Sequence, residues 1–262
     1  MPHLALGSHS VFYEISGHGQ QDLLLFNGIT MSTPAWGLMM PALESQYRVI
    51  RFDFLGQGQT DKPVADKYTL AEQADLAAAL LDALQLSQVF LVGLSYGGMV
   101  AQHFAHRHGQ RVRKLLLAST LAWSDEANNR ISQSWIECNQ AGGLDLRYSA
   151  SIPWLFSSRF LTANAAMLED MKTLAGMVDW DAVIRLINGV KEHDARNWLP
   201  QLQIPCHILL GAEDRLTPLY QAEILQQRIP HATLEQIPHA AHVLHIEAAE
   251  AFSRSIIRFC QP

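Results

Sequence analysis

The segment QVFLVGLSYGGMVAQHFAHRH, residues 88–108, decides the fold: an apolar run ends in Gly93-Leu94-Ser95-Tyr96-Gly97-Gly98, and an amphipathic segment begins at once. Residues 88–95 read as a strand and residues 96–108 as a helix. A serine held on so sharp a strand-to-helix turn needs neighbours without side chains, because the backbone is strained there and adjacent elements come close. Gly93 and Gly97 meet that need. The turn also sets the Tyr96 N–H at a helix amino terminus, where unpaired N–H groups and the dipole favour negative charge. Ser95 is thus a candidate nucleophile, with Tyr96 as one main-chain donor to a developing oxyanion. A glycine turn with an idle exposed serine is the plain alternative, and the flanking strand and helix weigh against it.

Outward from this turn, apolar runs and amphipathic stretches alternate as a parallel sheet covered by helices requires. A strand or hairpin is expected over residues 4–16, and residues 22–27 form a run apolar enough to be buried on both faces, ending in Asn27-Gly28. A short helix over 34–45 with Thr33 as its cap precedes a strand over 48–54. Residues 56–63 have loop composition; Thr69 and Glu72 make a capping box for a helix over 70–86, and 112–120 is a further strand. From 121 to about 199 no convincing strand is found. Trp123, Trp135, Trp154, Trp180 and Trp198 lie there, and spacings such as MLEDMKTLAGM are helical, so a helical insertion is expected. A strand over 204–214 follows, then a helix capped by Thr217-Pro218 and reaching Arg228, a strand over 232–238 and a helix over 246–259. The expected fold is α/β, a mainly parallel twisted sheet flanked by helices. Residues 1–120 and 200–262 form its core, and 121–199 an inserted helical cap or lid.

Composition narrows the partners. A chain of 262 residues, 48% hydrophobic and 17% charged, has enough material for a full core and is unlike a disordered one. The formal charge of -6 and the lack of any basic cluster argue against a nucleic-acid surface. Cys138, Cys206 and Cys260 are too scattered for a disulfide framework or zinc site, and Cys138 has no positioned base to make it a nucleophile. With no leader-like start and no 18-residue apolar run, a cytoplasmic location without membrane anchoring is expected, as monomer or homodimer.

A serine needs a base, and the base a carboxylate that holds its tautomer. Asp214 follows an apolar strand in Gly211-Ala212-Glu213-Asp214, at the strand's carboxyl end where open α/β sheets keep their sites; Glu213 is the alternative acid. His239, His242 and His245 follow the last strand, and one of them is the base, with His242 the candidate. A zinc site at these histidines lacks an acidic or cysteine partner at suitable spacing. His103, His106 and His108 read as a solvated helix end, and the tryptophans of the insertion as packing. Gly56-Gln57-Gly58 is too short for a dinucleotide fingerprint.

These residues resemble the α/β-hydrolase family over nearly the whole chain, in the order Ser95, Asp214, His242. The family's histidine usually precedes a glutamate by five, which matches His242 and Glu247. Residues 53–58 resemble the family's structural DxxGxG loop, with Leu55 where arginine is usual, and 121–199 its lid. The resemblance implies a second oxyanion donor, the Ile29 N–H, in Phe26-Asn27-Gly28-Ile29-Thr30, where the family usually has a His-Gly pair. Asn-Gly at this place is similar to 3-hydroxyacyl transacylases and the synthase of the rhamnolipid lipid precursor, while the Asp214 and Ala-Ala-His segments resemble enol-lactonases. The expected function is hydrolysis of a carboxylic ester, lactone or thioester through an acyl-enzyme, with no cofactor or metal, on a small to medium, largely apolar acyl substrate. The alternatives are an acyltransferase acting on 3-hydroxyacyl thioesters, and a non-catalytic ligand-binding scaffold.

Overall fold

Successive side chains of a strand point to opposite faces, and in the central strands both faces are apolar. Leu23 and Leu25 join a buried cluster with Val92 and Leu116, whereas Leu24 and Phe26 join the opposite one with Leu91 and Leu117. Such strands are stable only with helices on both sides. The computed structural model, which describes residues 3–261, has that form. Its strands are β1 (His3–Leu6), β2 (His9–Ser16), β3 (Asp22–Phe26), β4 (Arg48–Phe52), β5 (Val89–Leu94), β6 (Val112–Ala118), β7 (Cys206–Gly211) and β8 (Thr233–Ile237). They make one sheet in the order β1-β2-β4-β3-β5-β6-β7-β8. β1 with β2 and β2 with β4 are antiparallel, and every later pair is parallel. The carboxyl ends of β3, β5, β7 and β8 therefore share one edge. The order reverses beside β3 and β5, the kind of switch point where such sheets open a crevice.

The helices are α1 (Met40–Glu44), α2 (Leu70–Ala83), α3 (Tyr96–Arg107), α4 (Glu126–Leu155), α5 (Ser158–Ala163), α6 (Ala165–Gly176), α7 (Trp180–Val190), α8 (Leu219–Arg228), α9 (Leu244–Glu247) and α10 (Ala249–Phe259). The Thr69/Glu72 capping box at α2 forms as expected. Helices α4 to α7 fall between β6 and β7, in the stretch expected to be helical. Where the chain enters and leaves this stretch, Trp123 and Asp194 form a single antiparallel bridge that the sequence did not signal. α4 bends at Gly142 and Gly143, the latter at φ 59. Among the described residues no helix is long and apolar enough to cross a membrane.

Several boundaries differ from expectation for local reasons. The helix over 34–45 is a 3-10 turn, Thr33–Trp36, followed by α1, and its cap position is Ser32. The Thr33 N–H is taken by the Asp53 carboxylate at 2.7 Å, and the Trp36 indole is drawn to Asn27 Oδ1 at 2.8 Å. α2 stops at Ala83, and Gln85 turns the chain at φ 54. The last helix is broken into α9 and α10 at Ala248. Thr217 does not cap α8, which starts after Pro218 with no side-chain cap, because its hydroxyl is engaged by Asp214.

The histidines of α3 are also not simply a solvated end. His103 Nε2 lies 3.3 Å from Nδ1 of buried His193, whose Nε2 donates to the Leu121 carbonyl at 3.2 Å, while His106 stacks on Trp198. Burial, aided by His106 and Arg107, pulls His103 down to about 4. Burial and His103 pull His193 to about 3 against the opposing effects of the Leu121 carbonyl and Asp194. Burial and His242 likewise pull His245 to about 3. The folded chain thus refuses protons that an unfolded chain accepts below about 6.5. Stability is complete above that pH and is lost progressively as pH falls, down to about 4 for His103 and about 3 for His193 and His245, by up to about 1.4 kcal/mol per pH unit for each ring. Thermal unfolding is expected at a clearly lower temperature at pH 5 than at pH 7.5; equal midpoints would mean that these rings charge freely in the folded state.

Candidate active site

Ser95 sits between β5 and α3 at φ 55, ψ -115, a conformation that a side chain rarely accepts. The crossing is possible because its neighbours are small. A Cβ on Gly93 would lie 2.4 Å from the Gly97 carbonyl oxygen, and one on Gly97 2.2 Å from that of Phe26. The Ser95 N–H donates to the Ala118 carbonyl of the adjacent strand at 2.8 Å, and the Thr120 hydroxyl donates to the Ser95 carbonyl at 2.7 Å. The strained turn is held from both sides.

Two distant loops meet this serine. Ser95 Oγ is 2.9 Å from His242 Nε2, and His242 Nδ1 is 3.0 Å from Asp214 Oδ2. An ionised carboxylate only accepts, so Nδ1 carries the ring proton and Nε2 is left to accept from the serine hydroxyl. Asp214 Oδ1 accepts the N–H groups of Leu216 and Thr217 at 3.0 and 2.8 Å, and Oδ2 accepts the Thr217 hydroxyl at 2.7 Å. Burial opposes charge on Asp214, but the His242 ring and the Thr217 donors outweigh it and hold the carboxyl below its ordinary value. Glu213, the other candidate acid, makes no side-chain hydrogen bond to His242 among the described residues, and its N–H donates to the Ala240 carbonyl.

The loop after β3 presents Ile29. Neither its N–H nor that of Tyr96 has a protein acceptor among the described residues. The side chain of Gln57, which sequence reasoning treated only as part of a short glycine loop, fastens this loop: its Nε2 donates to the Gly28 and Ile29 carbonyls at 2.8 and 3.2 Å. Gln57 Oε1 in turn accepts from Asn27 Nδ2 at 3.3 Å. Asn27 also donates to the Phe52 carbonyl at 3.0 Å and accepts from Trp36, so its amide is consumed inside the scaffold. Asp53 accepts the N–H groups of Thr33 and Gln59 at 2.7 and 2.9 Å, the structural part expected of it.

The His242 loop is tied to the helical insertion. The Leu155 carbonyl, at the end of α4, accepts the His242 and Val243 N–H groups at 3.1 and 3.2 Å. Glu247 bridges the same junction, accepting from Ser157 N–H at 2.8 Å and Ala241 N–H at 3.2 Å. The Leu155 contacts join main chain to main chain, and no spacing in the sequence announces them, whereas Glu247 is the glutamate that follows His242 by five residues. His239 is exposed at φ 60, and His245 is buried beside Trp36, so the three histidines do not converge. No cluster of three metal-binding side chains occurs among the described residues. Cys138 is half-buried, and Cys206 and Cys260 are buried.

A mostly parallel sheet with helices on both sides, and a serine on a strained turn at the carboxyl end of its fifth strand, defines an α/β-hydrolase. The chain belongs to the alpha/beta hydrolase family, whose model matches residues 23–255. It is 28% identical over 254 residues, 95% of each chain, to a Caulobacter sp. protein provisionally named carbamate hydrolase RutD. It is 25% identical to 3-oxoadipate enol-lactonase 2 of Acinetobacter baylyi, covering 93% of this chain and 90% of that one. An alpha/beta hydrolase enzyme from a Medee basin deep-sea metagenome library superposes with a TM-score of 0.93 at 28% identity, covering 98% of this chain and 96% of that one. Family and relatives together support a hydrolase.

Proposed function

We propose that the protein is a serine hydrolase that cleaves a carboxylic ester, lactone or thioester through an acyl-enzyme. The observation that carries this reading is the continuous contact from Ser95 Oγ through His242 to Asp214. Ser95 attacks the acyl carbonyl as its proton passes to His242 Nε2, and the negative charge that develops on the carbonyl oxygen is met by the Ile29 and Tyr96 N–H groups. The tetrahedral intermediate collapses as His242 returns the proton to the departing alcohol or thiol. Water then gives a proton to the same nitrogen, attacks the acyl-enzyme and releases the acid and a restored Ser95 hydroxyl. Asp214 keeps the imidazole oriented and stabilises its charged form. None of these steps uses a metal or cofactor.

Residues 121–199 act as a cap over the site in this reading. Ile136 on α4 and Val183 and Ile187 on α7 form a small apolar cluster on which Ile29 rests, and this favours a small to medium, largely apolar acyl substrate. A cytoplasmic monomer or homodimer without nucleic-acid or membrane partners is the setting proposed. A fluorophosphonate probe tests the core of the reading: one covalent adduct is expected, on the peptide containing Ser95. No adduct at Ser95 in the folded protein would favour a non-catalytic scaffold. Adding a hydroxyacid or thiol acceptor to the ester reaction separates the outcomes, since acyl transfer diverts product to the acceptor and hydrolysis does not.

A further inference from the structure

Arg147, on α4, is only 7% exposed, and no carboxylate lies within ion-pair distance of it among the described residues. The contrast with Arg51 is direct, for that side chain is similarly buried and has Glu14 at 2.9 Å. Asp145, two residues from Arg147, is taken by Lys172 at 2.7 Å. Arg147 Nε donates to Asn139 Oδ1 at 3.0 Å, across the bend in α4, and its guanidinium carbon stands 3.9 Å over the Trp180 ring. Neither terminal nitrogen has a protein acceptor among the described residues. Burial draws the group below its ordinary value with no acid opposing it.

Two further donors on the same helix pair are unpartnered. The indole N–H groups of Trp135 on α4 and Trp180 on α7 are buried without an acceptor. Trp180 packs against Ile136, Val183 and Ile187, the cluster that also receives Ile29. At its far end α4 hydrogen-bonds the His242 loop through Leu155, eight residues and about 12 Å of helix rise from Arg147. The Arg147 guanidinium thus stands over Trp180, whose ring packs on the same apolar cluster as Ile29, the candidate oxyanion donor, and a planar bidentate anion is the ligand its two terminal nitrogens fit.

We propose that Arg147 receives a carboxylate carried by the substrate at the end remote from the carbonyl that Ser95 attacks. This rests on the acyl-enzyme reading above and narrows its substrate class to acids bearing a second, ionised carboxyl group. The stacked ring screens one face of the guanidinium and the Asn139 contact fixes its tilt, so the terminal nitrogens are left for the ligand. A purely structural role, clamping the bend of α4 onto Trp180, would need no more than the Asn139 contact and the stacking.

The test compares para-nitrophenyl monoesters of dicarboxylic acids, from succinate to sebacate, with para-nitrophenyl esters of monocarboxylic acids of equal chain length. At the best length the carboxylate-bearing ester is expected to have kcat/KM about 10- to 100-fold higher, the difference residing in KM. In Arg147→Gln this ratio should collapse toward one. A clamp would lower both rates and leave the ratio intact, which overturns the proposal. So does a ratio at or below one at every length in the unaltered protein, whether or not the variant folds. If neither ester is turned over, the acyl-enzyme reading fails separately, and tryptophan fluorescence then decides the anion site. Titration with adipate should give a saturable change that dimethyl adipate does not give and Arg147→Gln abolishes; no saturable change overturns the site.

Discussion

Ser95→Ala is expected to reduce kcat by about 10⁶-fold, the loss seen when a nucleophile is taken from a working serine triad. The size follows from what remains. Without Oγ no covalent intermediate forms, and water would have to attack directly, guided by His242 and the two main-chain donors alone. The fold should survive, because alanine is no bulkier than serine at φ 55 and the main-chain bonds of Ser95 to Ala118 and Thr120 do not involve the deleted hydroxyl. An unchanged thermal midpoint with this loss of kcat supports the assignment. Turnover within tenfold of the unaltered protein, in a preparation free of contaminating esterase, would remove Ser95 from the chemistry.

Asp214→Asn is expected to lower kcat by about 10⁴-fold with little change in substrate affinity. Asp214 Oδ2 accepts from the His242 ring and from the Thr217 hydroxyl, and its carboxyl is held below its ordinary value, so it is ionised throughout the neutral range. An amide in its place can offer an N–H to Nδ1, which favours the tautomer with its proton on Nε2, facing Ser95. That imidazole cannot accept the serine proton, and the charge it would acquire has no counter-ion. The parallel substitution Glu213→Gln should leave the rate near that of the unaltered protein, since the Glu213 side chain makes no hydrogen bond to His242. If instead the Glu213 variant were inactive and the Asp214 variant active, the orienting acid would have been misassigned.

Much of the site was legible in the chain because its signals are local. The turn around Ser95 needs Gly93 and Gly97 within two residues, and the capping box at α2 needs only Thr69 and Glu72. Asp214 and His242 could be proposed from their places after apolar strands, where the carboxyl ends of parallel strands gather. The features that are not legible act across long sequence separations or through main-chain atoms. Gln57 reaches carbonyls 28 and 29 residues earlier, Thr217 turns away from capping α8 toward Asp214, and His103 meets His193 across 90 residues. Each of these side chains has an ordinary local use, which is what a local reading assigns.

The amino-acid order by itself determined the layered α/β plan, the serine turn and the loops able to supply an acid and a base, since periodicity, glycine placement and capping act over a few residues. Only the tertiary structure brings Asp214 rather than Glu213 to the His242 ring, and His242 rather than His239 or His245 to Ser95, and leaves Arg147 without a counter-ion. Those outcomes depend on which atoms come within about 3 Å after chain segments far apart in sequence have folded together, and hydrogen bonding and desolvation are governed by that distance and burial.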